Sequence, residues 1–92
     1  MPRALAIRYV DVPTAARAGY LARLGERVAQ ARGATFHLWA FEQEGAPGRF
    51  VEFVETRDAA ALDAALGRDA RLGPGLAAAP PAWTRYAGVA DG

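Results

Sequence analysis

The chain has 92 residues, 52% of them apolar and 23% charged, with a formal net charge of +1. That composition excludes a disordered, strongly acidic or collagen-like chain, and the near-zero charge gives no electrostatic case for nucleic acid or an anionic membrane. Cysteine is absent, which removes disulfide scaffolding, thiolate catalysis and Cys-ligated metal.

A domain of this size buries only about 60–65% of the surface its unfolded chain exposes, so self-association would help it fold. No apolar run approaches the roughly 18 residues of a membrane span, and Met1-Pro2-Arg3-Ala4 lacks a secretory apolar core. The cytoplasm is the expected compartment. Lys, Ser and Asn are all missing, which fits the codon bias of a GC-rich genome.

Leu5 to Val10 predicts a first strand, bounded by Asp11-Val12-Pro13. From Thr14, in an N-cap position, to Arg32, the apolar residues Ala18, Leu21, Leu24, Val28 and Ala31 recur at helical spacing. Arg17, Arg23, Arg27 and Gln30 would form the solvated side of that helix, and Tyr20 would pack with its hydroxyl at solvent. Gly33 should end the helix in a left-handed conformation. Gly19 and Gly25 weaken it, and either allow close packing of the helix on the sheet or are simply tolerated.

Thr35 to Phe41 predicts a second strand with two apolar faces, Phe36, Leu38 and Ala40 on one and His37, Trp39 and Phe41 on the other. Gln43 to Gly48 carries the turn residues, and Phe50 to Thr56 returns. Pairing Phe41 with Glu52 and Trp39 with Val54 would gather His37, Trp39, Phe41, Phe50, Glu52 and Val54 on one face, and a slip of one residue would exchange the groupings. Thr56 should cap a second helix, with Asp58 in its first turn and Leu62, Ala65, Leu66 and Ala70 as its buried stripe. Gly73-Pro74-Gly75 would stop it. Leu76 to Pro81 reads as a connection and Trp83 to Val89 as the last strand.

The order strand, helix, strand, strand, helix, strand is the α+β, ferredoxin-like βαββαβ arrangement over a single domain, residues 1–92: a four-stranded antiparallel sheet with both helices on one face. The opposite face is then bare and apolar, and a homodimer packed sheet to sheet is the economical cover.

The run Gly33…Trp39…Phe41…Pro47-Gly48-Arg49-Phe50-Val51-Glu52-Phe53…Glu55…Asp58…Ala61-Leu62…Leu66 resembles the antibiotic biosynthesis monooxygenase-like group of the dimeric α/β-barrel superfamily. The resemblance covers about a third of the chain. It implies a homodimer whose two sheets close into a barrel around small-molecule cavities, and, in catalytic members, oxygenation of phenolic or quinol-like polyketides without metal or flavin; relatives degrade haem. Where that family often carries a Trp at the end of the second central strand, this chain has Thr56. Where a His often follows in the helix, it has Ala65 and Leu66, which hold no proton.

The polar chemistry left is His37, Glu52, Arg8 and Arg85, among Trp39, Trp83, Tyr9 and Tyr86. His37 and Glu52 are the candidate catalytic residues, and Arg8, Trp39, Phe41, Trp83 and Arg85 the candidate substrate contacts. Histidine can act as a general base near neutral pH, or His37 can be an interface residue bonded to a backbone carbonyl. Glu52 falls mid-strand between apolar neighbours, where a carboxylate needs a cation, and Arg8 is its structural partner if it is not an acid–base group. Trp39 and Trp83 can stack on a planar ligand or anchor a core.

A cofactor-independent oxygenase or isomerase-like enzyme acting on a small aromatic or polyketide-like molecule, a non-catalytic binding or stress-associated dimer, and an amino-acid-binding regulatory module remain as readings. The last is weakened by the absence of glycine at Asp11-Val12-Pro13. A single histidine, no cysteine and no glycine-rich strand-to-helix turn predict no metal and no organic cofactor. The purified protein should be colourless by visible spectroscopy and free of stoichiometric metal by elemental analysis.

Overall fold

The computed structural model describes residues 2–34, 36–72 and 81–90. Strand β1 (Ala4–Asp11) is followed by helix α1 (Arg17–Arg32), the hairpin β2 (His37–Glu42) and β3 (Arg49–Thr56), helix α2 (Ala59–Leu72) and the short β4 (Thr84–Ala87). The strands form one antiparallel sheet in the order β2-β3-β1-β4, the expected ferredoxin-like topology. The expected Gly73-Pro74-Gly75 stop, and the connection Leu76 to Pro81 except Pro81, lie outside the described residues. Among the described residues, no helix is long and apolar enough to cross a membrane.

Alternation along the strands sorts the side chains. Ala4, Ala6, Val10, Leu38, Phe50 and Val54 are buried beneath the helices, where Tyr20 and Ala31 of α1 and Leu62 and Ala65 of α2 meet them. The other face stays open: Tyr9, Trp39, Phe41 and Tyr86 are 62, 45, 58 and 52% exposed.

The hairpin register differs from the sequence expectation by one residue. Phe41 faces Val51, Trp39 faces Phe53, and it is Ala40 that faces Glu52. The turn is the reason. Gly48 adopts φ +88° and returns the chain so that Arg49, not Phe50, opens β3, with Gln43 N–H bonded to Arg49 O at 2.8 Å. Phe50, Glu52 and Val54 therefore share the helix side with Leu38, and His37, Trp39 and Phe41 lie on the open side.

The helix ends also depart from expectation. Pro13 leads into a 3₁₀ turn, Thr14–Ala16, so Ala16 precedes α1 and no side chain caps it. Gly33 has φ −89°, because tight bonds from Gly33 N–H to Gln30 O and from Ala34 N–H to Ala31 O close the last turn without a left-handed residue. At α2, Thr56 Oγ1 donates to Asp58 O, and Asp58 Oδ1 accepts the Ala61 N–H at 2.8 Å, so Asp58 is the cap.

The buried stripes are rotated as well. Ala18, Leu21 and Ala70 are exposed, while Tyr20, Arg27 and Asp69 are buried. Gly19 and Gly25 face open space.

Gly48 ties the hairpin to β1. Its carbonyl accepts the Val12 N–H at 2.7 Å, its N–H donates to Glu42 Oε2 at 2.8 Å, and a Cβ there would collide with the Val12 carbonyl oxygen. Glu42 in turn takes Arg17 Nη2 at 2.7 Å, and that hydrogen bond, with the Gly48 N–H, holds its carboxyl below the usual range. Gly48→Ala combines a positive φ with a backbone clash and should cost about 2 kcal/mol or more in urea denaturation; Gly45→Ala, with only positive φ and open space, should cost less.

Candidate functional site

Two constellations of polar residues stand on opposite sides of the sheet. The first is buried. Arg8 on β1 sits opposite Glu52 on β3 in the ladder, both under the helices, and Arg8 Nε and Nη2 each reach Glu52 Oε1 at 2.9 Å. The expected Arg8–Glu52 pairing is present, and α1 adds to it. Arg27 gives Nη2 to Oε1 at 2.8 Å and Nη1 to Oε2 at 3.0 Å, and Tyr20 Oη donates to Oε2 at 2.5 Å. The rest of the Arg27 fork is held by α2, where Asp69 Oδ1 and Oδ2 accept Nε and Nη2 at 2.8 and 2.9 Å. Trp83 closes the group, with the Arg8 guanidinium 4.1 Å from its ring centre.

Burial would raise the Glu52 pKa, but the hydrogen bond and charge of Arg27, the Tyr20 hydroxyl and the Arg8 charge outweigh it and the net shift is downward. Burial likewise opposes the charge on Arg27, and Glu52 and Asp69 reverse that and raise its pKa. Tyr20 is raised, first by burial and then by its bond to Glu52, so it stays a neutral donor. Glu52 and Tyr20 show no exposed surface and Arg27 only 1%. No buried side-chain nitrogen or oxygen among the described residues lacks a partner.

Tyr20, Arg27 and Asp69 were missed as members of this group. Its charge places Arg27 at solvent by the ordinary rule, yet it lies three residues after Leu24 and four before Ala31, on the buried stripe itself. Asp69 likewise follows Leu62 and Ala65 at helical spacing. A mid-strand Glu together with a stripe Asp calls for more than one cation, and that is the signal that could have found Arg27.

The second constellation is open. His37, 72% exposed on its side chain, begins β2 on the bare face, with Trp39 beside it at 5.7 Å between ring centres. Glu55 lies opposite His37 in the ladder; its Oε1 is 4.0 Å from His37 Nδ1, and its Oε2 is paired with Arg3. The end of the sheet and the last turn of α1 form an open cavity of about 590 Å³ here, lined by Arg3, Ala31, Arg32, Ala34, Phe36, His37, Glu55, Thr56 and Arg57. A cleft of about 240 Å³ continues from it along the edge strand to Leu38 and Trp39.

The expected site is thus divided. His37 and Trp39 are together, and Arg8, Glu52 and Trp83 are together beneath the helices. The one-residue difference in register puts Glu52 and His37 on opposite faces, so they do not form a joint acid–base pair. Phe41 lies farther along the open face, against Phe53 at 5.9 Å. Arg85 reaches α2 instead, bonding Asp63 Oδ1 at 2.5 Å and the Ala59 carbonyl at 3.5 Å. Glu55, Arg32 and Arg57 are not legible as site residues in the sequence: the register sets Glu55 opposite His37, and the last turn of α1 and the end of β3 bring Arg32 and Arg57 to the same cavity. Among the described residues, no group of three or more His, Asp or Glu side chains is arranged to hold a metal ion.

Removing one partner from the buried group leaves uncompensated charge. Glu52→Gln should therefore lose about 3–5 kcal/mol by urea denaturation. A carboxylate whose folded pKa is depressed contributes stability above its unfolded value, and that contribution is lost as pH falls through the folded value. The stability gap between the wild type and Glu52→Gln should accordingly be flat above about pH 5 and close progressively below about pH 4.

No protein-family model matches the sequence and no curated protein matches it. Among solved structures, Rv0793 from Mycobacterium tuberculosis superposes with a TM-score of 0.76 at 23% identity, over 99% of this chain and 98% of that one. An antibiotic biosynthesis monooxygenase superposes with a TM-score of 0.72 at 25% identity, over the whole of both chains. The chain therefore shares its ferredoxin-like fold with both neighbours, one of which is named as an antibiotic biosynthesis monooxygenase.

Proposed function

We propose that the protein is a homodimeric, cofactor-independent monooxygenase of small electron-rich phenols or quinols, with His37 as the base. The reading rests on one observation: a titratable imidazole stands in an open cavity with an apolar floor of Ala31, Ala34 and Phe36 and a carboxylate, Glu55, 4.0 Å from Nδ1. Histidine exchanges its proton in the neutral range, and a neighbouring carboxylate stabilises the imidazolium that forms. The name of the second structural neighbour agrees with this chemistry.

His37 takes the phenolic proton, leaving an electron-rich anion. A ring carbon of the anion that bears hydrogen reduces dioxygen and bonds to one of its oxygens, and the peroxide anion so formed takes the proton back from the imidazolium, giving a hydroperoxide. His37 then removes the hydrogen of that ring carbon as a proton while the O–O bond breaks; the C–H electron pair forms the quinone carbonyl, and the departing hydroxide takes the proton and leaves as water. One dioxygen is consumed per quinol, one oxygen atom entering the product and one leaving as water. The electrons come from the substrate.

The dimer covers Tyr9, Trp39, Phe41 and Tyr86, four large side chains exposed on one sheet face, and should bury about 2,000 Å² or more in total. Sedimentation at micromolar concentration should give a dimer; a monomer would contradict this. A charged residue at Phe41 should yield unfolded or aggregated chain.

For the chemistry, oxygen uptake with naphthohydroquinone, corrected for autoxidation, is the test. The wild type should consume one dioxygen per quinol. His37→Ala should abolish the enzyme-dependent uptake while leaving thermal stability within about 1 kcal/mol, as befits an exposed side chain. Equal uptake by both proteins would remove His37 from the mechanism.

A further inference from the structure

The charges around the His37 cavity are unbalanced. Arg3, Arg32 and Arg57 line it against a single carboxylate, Glu55, and that carboxylate is already paired with Arg3. Among the described residues Arg57 is paired with its neighbour Asp58, at 3.4 Å, and Asp58 is also engaged in capping α2. Arg32 has no hydrogen-bond or ion-pair partner among the described residues, although it borders both the cavity and the adjoining cleft. An uncharged phenol offers these guanidinium groups only a hydroxyl oxygen, with no charge to pair.

We propose that the ligand of this cavity is an aromatic carboxylate, its ring on the floor of Ala31, Ala34 and Phe36 and its carboxylate on Arg32 and Arg57. This rests on the oxygenase reading above and narrows its substrate to a hydroxylated aromatic acid. A guanidinium meets a carboxylate with two parallel hydrogen bonds, a geometry that gives direction as well as charge. The apolar floor fits a ring, and a volume of about 590 Å³ falls within the range of small-molecule sites, about 300–1,000 Å³. A carboxylate fits better than a phosphate. Phosphate sites favour helix N-termini, with their free N–H groups and positive dipole end, whereas this cavity receives the last turn of α1, where the dipole is negative and would oppose a dianion.

The test compares two probes that differ only in the acid group, hydroquinone and gentisate, by calorimetric titration under anaerobic conditions on the full chain. Gentisate should bind about tenfold or more tightly than hydroquinone, since a charge-assisted pair is involved. That preference should collapse toward equal affinity in Arg32→Gln and weaken in Arg57→Gln, both checked for native circular dichroism. It should also fade with added salt, because the site is open. If both probes bind alike, or if Arg32→Gln and Arg57→Gln keep the preference, the carboxylate proposal is overturned and the oxygenase reading stands. If neither probe binds and naphthohydroquinone is not turned over, both fall.

Discussion

An ionised glutamate without access to water, held mid-strand beneath two helices, is the constraint that organises this fold. A buried carboxylate is tolerated only when cations and hydrogen-bond donors satisfy it. Glu52 collects those from three residues on two elements: Arg8 on β1, and Arg27 and Tyr20 on α1. Because Arg27 then needs Asp69, α2 is tied into the same group. A register slip in the β2–β3 hairpin that carried β3 over with it would turn Glu52 onto the open face and strand both guanidinium groups. The ionic group thus acts as a register key for the sheet and sets the positions of both helices on it.

The same group decides where chemistry can occur. Glu52 is engaged by Arg8, Arg27 and Tyr20, Arg27 is shared between Glu52 and Asp69, and Tyr20 is held neutral, so proton transfer from the interior would require opening the whole cluster. Titratable side chains with room for a ligand lie at the end of the sheet instead, where His37 and Glu55 face each other across β2 and β3 and the last turn of α1 brings up Arg32. The interior provides rigidity, and the sheet end and open face carry the reactive surface.

Much of the topology was legible in the sequence, because each segment announces itself. Alternation marks β1 and the hairpin strands, the glycines and proline of residues 43–48 mark the turn, and helical spacing marks both helices. The Arg8–Glu52 pair was legible too, since a charge amid Phe50, Phe53 and Val54 calls for a partner. Register was not. It depends on Gly48 taking positive φ one residue before β3 begins, a choice that Pro47-Gly48-Arg49-Phe50 leaves open in either direction. With the register went the grouping of His37 with Glu55 rather than Glu52. The charged members of the helix stripes were hidden by the ordinary rule that Arg and Asp face water, which a buried ionic group sets aside at Arg27 and Asp69. The helix caps turned on single-residue geometry that Thr14, Gly33 and Thr56 suggest but do not dictate.

The central claim is that ligands meet this protein at the His37 end of the sheet and leave the ionic interior untouched. Amide chemical-shift mapping during an anaerobic titration with naphthohydroquinone tests it directly. The account predicts shifts concentrated at Ala31, Ala34, Phe36, His37 and Glu55, with Tyr20, Arg27, Glu52 and Asp69 unmoved. Shifts centred on Tyr20, Glu52 and Asp69 would contradict it, and would mean that the buried group opens to admit a ligand between sheet and helices.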